Sequence, residues 1–68
     1  MDETLEIIIR ASGDGFSRSR TKWYFGVDQD ERGFCTATAV FENGPDGLPV
    51  FTVEGMEALR KKYGRPAR

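Results

Sequence analysis

The stretch TKWYFGVDQDERGFCTATAVFE, residues 21–42, holds two runs of β-forming residues on either side of a polar segment. In both runs the side chains alternate with a period of two, which is typical of strands. The intervening DQDERG segment, residues 28–33, is acidic and ends in a glycine, as tight hairpin connections often do. The sequence therefore predicts two neighbouring antiparallel strands.

Upstream, TLEIIIRA at residues 4–11 also alternates, with Leu5, Ile7 and Ile9 on one side. This pattern of branched apolar residues predicts a first strand. The segment SGDGFSRSR, residues 12–20, is rich in glycine and serine and predicts a loop to the next strand.

Downstream, NGPDGLP at residues 43–49 predicts a turn, and TVEGMEALRKKYG at residues 52–64 predicts a helix. Thr52 is a suitable N-cap and Gly64 a suitable stop. Val53, Met56, Leu59 and Tyr63 form an apolar stripe at helical spacing. An alternative is a short fourth strand at PVFTV, residues 49–53, followed by a helix that begins at Glu54.

These elements predict one small α+β domain over residues 1–68, with a frayed tail at residues 65–68. Its architecture would be a three-stranded antiparallel meander with one C-terminal helix packed on one face, and a short fourth strand as the variant. The face under the helix is expected to hold the apolar side of each strand, namely Leu5, Ile7, Ile9, Trp23, Phe25, Val27, Cys35, Ala37, Ala39 and Phe41.

The opposite face of the predicted sheet mixes apolar, hydroxyl and cationic side chains. A patch of this kind on a small domain favours contact with a partner, although β propensity alone also places threonine and valine on exposed strands. The candidate partner-binding residues on this face are Ile8, Arg10, Lys22, Tyr24, Phe34, Thr36, Thr38 and Val40.

Composition limits the function classes. The chain has 68 residues, no histidine, one cysteine and a net charge of −1. Without histidine a Ser–His or Cys–His catalytic pair is excluded within this chain, and no carboxylate pair is placed for acid–base work. We therefore expect no catalytic residues, no metal ligands, no cofactor and no small-molecule substrate. A lone cysteine and the absence of a long apolar run predict a cytoplasmic protein with no membrane contact.

A row of alternating cations leads into the second strand. Arg18, Arg20 and Lys22 would point to one side of an extended chain, and Tyr24 continues that register. Such a row could bind phosphates and stack a base, or it could face an acidic protein. The acidic groups nearby, including Asp14 and the hairpin, would oppose a polyanion.

The sequence thus leads to two hypotheses. The first is a small non-enzymatic protein-binding regulator or inhibitor that acts through the exposed face of its sheet, with another protein or a second copy of itself as partner. The alternative is a nucleic-acid-binding module that uses the basic row at residues 18–22 and the same sheet face.

Overall fold

In a computed structural model of the chain, which describes residues 2–64, a four-stranded antiparallel sheet carries two helices on one face. The predicted α+β class, with an antiparallel sheet and a C-terminal helix, is confirmed. The tail predicted at residues 65–68 lies outside the described residues. The elements in chain order are α1 (Glu3–Asp14), β1 (Phe16–Arg18), β2 (Lys22–Gln29), β3 (Cys35–Asn43), β4 (Pro49–Val50) and α2 (Val53–Tyr63), and the strand order in the sheet is β1-β2-β3-β4.

The strand predicted at residues 4–11 is wrong, because this segment belongs to α1. Asp2 caps the helix by accepting the N–H of Thr4 at 2.9 Å. Ile7 and Ala11, one turn apart, are 1% and 0% exposed. Three consecutive isoleucines fit a period of two and a helical period equally well, so the acidic cap and first turn decide for the helix.

The hairpin between β2 and β3 forms as predicted, with Trp23 paired to Phe41 and Gln29 to Cys35. Asp30 closes its turn, since one carboxylate oxygen accepts the backbone N–H groups of Arg32 and Phe34 at 2.9 Å each. This hairpin is the centre of the sheet, with β1 and β4 as its edges.

The turn predicted at residues 43–49 leads into a fourth strand, β4, as the alternative interpretation proposed, but this strand covers only Pro49–Val50 and α2 begins at Val53 rather than at Glu54. The predicted N-cap is confirmed, because the Thr52 hydroxyl accepts the N–H of Gly55 at 3.1 Å. Leu59 and Tyr63 are buried as expected, but Val53 is 70% exposed at the first turn of α2.

Both helices pack on the side of the sheet that carries the rings of Trp23, Phe25 and Phe41. Seven buried residues form the core, and they come from both helices and from the two central strands: Ile7, Ala11, Phe25, Ala39, Phe41, Leu59 and Tyr63. Close approach of α2 requires glycine at position 55, since a side chain there would collide with the ring of Phe41.

In the middle of the sheet, the order in which side chains alternate between the two faces inverts. The N–H groups of Gly26 and Val27 both donate to the carbonyl of Gly15, at 3.0 and 3.2 Å, which is the geometry of a β-bulge. Gly26 has φ 65°, and a Cβ built on it would lie 2.5 Å from the Tyr63 hydroxyl. Phe25 and Gly26 therefore both face the helix layer, and the alternation of β2 inverts after them.

This inversion corrects part of the predicted map of inside and outside. Thr38, expected on the exposed face, is half-buried beside Gly26, to whose carbonyl its hydroxyl donates at 3.3 Å. Conversely, three residues expected under the helix lie on the opposite face, namely Val27, Cys35 and Ala37. Of these three, Cys35 is exposed.

Candidate functional site

The predicted basic row does not form, because the chain reverses within it. Ser19 closes the turn between β1 and β2, since its hydroxyl accepts the N–H of Lys22 at 3.0 Å. Arg18 therefore lies on β1, with its guanidinium carbon 4.9 Å from the Trp23 ring centroid on the helix side of the sheet. Arg20 lies in the turn, and Lys22 is paired with Glu42 of β3.

Two other predicted contact residues lie on α1 rather than on the sheet. Arg10 connects the helices: its guanidinium donates to the carbonyl of Tyr63 at 3.1 Å and forms an ion pair with Glu6 at 3.1 Å. Ile8 packs against the core from the same helix. Their expected place on the exposed sheet face is therefore wrong, for the same reason that the first strand is wrong.

The remaining predicted residues are close to the face of the sheet that neither helix covers. Tyr24, Thr36 and Val40 line a shallow hollow of about 390 Å³ on that face, together with Ser17, Val27, Cys35 and Ala37; we call these seven residues the outer hollow. Phe34, which is 65% exposed, directly precedes β3. The outer hollow thus brings together three of the ten predicted residues.

A larger depression on the helix side was missed by sequence reasoning. It has a volume of about 880 Å³, and its wall is mainly apolar. Residues from α1, β1, β2 and the segment around β4 form it, chiefly Ile8, Phe16, Trp23, Leu48, Val50 and Phe51; we call these six residues the apolar groove. The signal was present in LPVF, residues 48–51, which was interpreted only as part of a turn or a short strand and not as a surface.

Aromatic rings form the floor of the apolar groove. The Phe16 centroid lies 5.5 Å from that of Trp23 and 5.3 Å from that of Phe25. Phe51 meets the buried ring of Phe41 edge to face at 4.9 Å. Asn43 accepts a hydrogen bond from the Trp23 indole, which fixes that ring. The floor is therefore held by the core before any partner arrives.

The side chains of the apolar groove are open to solvent. Four of them, Phe16, Leu48, Val50 and Phe51, are 43–58% exposed. Leu5 and Ile9, which helical spacing places on the same side of α1 as Ile8, are 52% and 53% exposed. Four of the nine exposed large apolar side chains recorded for residues 2–64 therefore line the groove, and Leu5 and Ile9 add exposed apolar surface on α1.

Charged side chains away from the groove are used to hold elements together. Arg60 of α2 forms an ion pair with Glu3 of α1 at 3.0 Å, and Lys62 with Asp28 of β2 at 3.2 Å. The hydrogen bond that Lys62 donates to Asp28 raises the pKa of Lys62 above its ordinary value. Within residues 2–64 no group of three or more histidine, cysteine, aspartate or glutamate side chains is placed to hold a metal ion.

Neither helix in residues 2–64 is both long and apolar enough to cross a membrane. Comparison of the chain with protein-family models, with curated proteins and with solved structures gave no match, so its function has to be inferred from the surfaces described above.

Proposed function

We propose that this protein is a small non-enzymatic protein-binding module, of the regulator or inhibitor type, whose main contact surface is the apolar groove. The observation that carries the proposal is the concentration of exposed large apolar side chains at this one place. Extended apolar patches on a domain are characteristic of interaction sites, because exposing them to water is costly.

The composition of the apolar groove suits a protein partner. Tryptophan and phenylalanine dominate its floor, and aromatic anchors contribute strongly to protein interfaces. Arg18 stacks on Trp23, where its guanidinium can meet a partner's carboxylate or carbonyl. Asp46 is the only charged residue among those that line the depression, and it already accepts the N–H of Leu48 at 3.2 Å. The preferred ligand is therefore an apolar protein segment.

The outer hollow supports the same function as a second surface. Tyr24, Val27 and Val40 form an apolar strip on the uncovered sheet face, and Lys22 and Glu42 pair across strands beside it. Isolated exposed apolar residues occur on many proteins, so this smaller strip carries less weight than the groove. It remains our proposed secondary contact.

Nucleic-acid binding is the alternative function, and the geometry supports it less. Phosphate binding along a strand needs several cations on one side, whereas Arg18 and Lys22 lie on different strands and opposite sides of the sheet. A titration with single- and double-stranded DNA at low and high salt tests it. Binding at low salt that weakens steeply with salt would favour the alternative over the groove.

The experiment for the main proposal compares matched surface variants in affinity capture from host lysate with mass spectrometry. Val50→Lys places a charge in the apolar groove, and Val40→Lys places one in the outer hollow. Val53→Lys is the control, because Val53 is 70% exposed and lines neither surface. We expect one protein to be captured by wild type and by the control, and lost with Val50→Lys.

The captured protein is then titrated in purified form against each variant. If Val50→Lys binds it as tightly as wild type does while remaining folded by circular dichroism, the groove is not the contact surface. If only Val40→Lys loses the protein, the contact surface is the outer hollow, as the sequence alone suggested.

A further inference from the structure

The two edges of the sheet differ in their capacity to accept another strand. One edge is β4, which pairs with β3: Val50 lies opposite Glu42, and the N–H of Gly44 donates to the carbonyl of Leu48 at 2.7 Å. Pro49 lies between these bonded positions, so its backbone points away from β3. Proline has no N–H, and this edge therefore lacks a donor for a further strand.

The β1 edge has no such block. The carbonyl of Gly15 and the N–H of Ser19 both bond to β2, at 3.0 Å to the Gly26 N–H and at 2.8 Å to the Lys22 carbonyl. Antiparallel ladders alternate, so the N–H and C=O groups of Phe16 and Arg18 point away from β2. The open edge thus presents two donors and two acceptors at the spacing of a strand.

We propose that β1 pairs in antiparallel fashion with β1 of a second copy, with Phe16 opposite Arg18 of that copy. This register uses all four outward groups of each chain and creates one continuous eight-stranded sheet. Ser17 would lie opposite Ser17 of the second copy, on the two-fold axis of an isologous dimer. The proposal rests on the sheet edge, and it shares one side chain, Phe16, with the apolar groove of the proposed function.

Charge complementarity selects a second copy as the occupant. Asp14 ends α1 just before β1 and Arg20 lies in the turn just after it, so antiparallel pairing about a two-fold axis brings the Asp14 end of each β1 near the Arg20 end of the other. The two-fold axis repeats this contact, so two opposite-charge pairs flank the ladder. Both side chains belong to exposed residues, and neither forms an ion pair among the described residues that would compete with the new contact.

The surface beside the ladder supplies apolar area. Phe16 is 47% exposed, it lies on the open edge, and it lines the apolar groove, so its ring would pack along the stem of Arg18 from the second copy. A standard interface buries about 800 Å² per partner, which is about 15% of the 5196 Å² surface of this domain. A three-residue ladder is too short to bury this alone, so we expect a reversible dimer.

Sedimentation velocity over a wide concentration range gives the first readout, and we expect the sedimentation coefficient to rise with concentration. The register is tested by disulfide capture. Ser17→Cys in a Cys35→Ser background places two thiols at a non-hydrogen-bonded pair, where Cα atoms are about 4.5 Å apart, within disulfide reach. Mild oxidation should cross-link this variant, whereas Thr36→Cys in the same background should stay monomeric in denaturing gels.

Charge reversal provides a test that does not depend on oxidation. Asp14→Arg alone and Arg20→Asp alone should each raise the dimer dissociation constant several-fold, and the double variant should restore it. A wild type that remains monomeric at millimolar concentration would overturn the proposal. So would cross-linking through position 36 as efficient as that through position 17, because both residues line the outer hollow and the contact would then cover that face rather than the β1 edge.

Discussion

Gly26 is the residue that determines which side chains of the central strands reach the core. Its φ of 65° lies in the left-handed region that glycine adopts easily and other residues avoid. Its missing side chain also leaves room for the Tyr63 hydroxyl and for Thr38. Backbone conformation and packing therefore both require glycine at this position.

We predict that Gly26→Ala lowers the free energy of unfolding by about 3 kcal/mol or more, from backbone strain of about 1–3 kcal/mol plus overpacking. Gly47→Ala is the matched control, because Gly47 has φ 82° but nothing within 4 Å of an added Cβ. It should lose only the strain. Urea denaturation of both variants measures the difference. Equal losses would show that the contact with Tyr63 and Thr38 has no cost.

Lys62 provides a pH-dependent contact between α2 and β2. Its pKa is raised in the folded chain, first by the hydrogen bond that it donates to Asp28, so folding favours the charged form. This contribution is fully present below the ordinary pKa of 10.5 and is lost as pH rises through the raised value. Because both side chains are substantially exposed, the effect is small.

We expect Lys62→Gln to be slightly less stable than wild type at neutral pH. The difference should vanish at a pH roughly one unit above the pKa of the folded state. Urea denaturation at the two pH values measures it, with the same substitution in an Asp28→Asn background as the control. A difference that persists at high pH, or in that background, would assign the effect to packing of the lysine stem.

At the scale of elements, α1 is where sequence and structure disagree most. A strand interpretation places Ile7 and Ile9 on the same buried side, whereas a helix places them two residues apart on different sides. In the structure Ile7 is 1% exposed and Ile9 53%. The pair therefore distinguishes the two interpretations experimentally.

We predict that Ile7→Ala lowers the free energy of unfolding by about 2–5 kcal/mol, the usual range for a buried isoleucine. Ile9→Ala should change it by about 0.5 kcal/mol or less, as at most surface positions. Denaturant titration of the two single variants is the measurement. Similar large losses at both positions would restore the strand interpretation of this segment.

The elements that the sequence predicted correctly share a local signal. The β2–β3 hairpin has a long alternating pattern and an Asp30 turn, and α2 has the Thr52 cap. The errors arose where a local pattern was ambiguous or where tertiary contact decided. The isoleucines at residues 7–9 fit either period, and the face change at Gly26 depends on a bulge against Gly15 that no local pattern reveals.

The candidate site was less predictable than the fold, because it joins distant parts of the chain. Trp23 was assigned to the core, whereas in the structure its ring is half-buried and forms part of the floor of the apolar groove. Phe16 was treated as a loop residue, and the residues around β4 as a turn. Only the packing of α1 and the position of β4 bring these side chains to one surface.

At the scale of the whole molecule, the domain is a slab with extents of 37 × 36 × 19 Å, and its core has only seven buried apolar side chains among residues 2–64. In so small a core each buried ring carries a large share of stability. The apolar groove, in contrast, keeps large side chains in water, where they contribute little to folding. The residues that stabilise the fold are thus different from the residues that are available to contact a partner.

We therefore predict that the double variant Leu48→Ser, Val50→Thr keeps the free energy of unfolding within about 1 kcal/mol of wild type, since both residues are about half exposed or more. The same variant should lose affinity for the protein partner. Phe41→Ala is the contrast: this ring is 1% exposed, and its loss should cost about 3–5 kcal/mol.

These measurements separate the two roles because each role predicts a different combination of changes in stability and binding. A groove that serves only the fold would lose stability when its side chains become polar, and binding would fall only as the folded fraction falls. If the groove is retained for a partner, the variant would lose binding while its stability stays unchanged. The reason is that exposed apolar side chains contribute little to folding and serve contact with the partner. Loss of more than about 2 kcal/mol in the double variant, well beyond ordinary surface substitutions, would therefore remove the main argument for the groove as a binding surface.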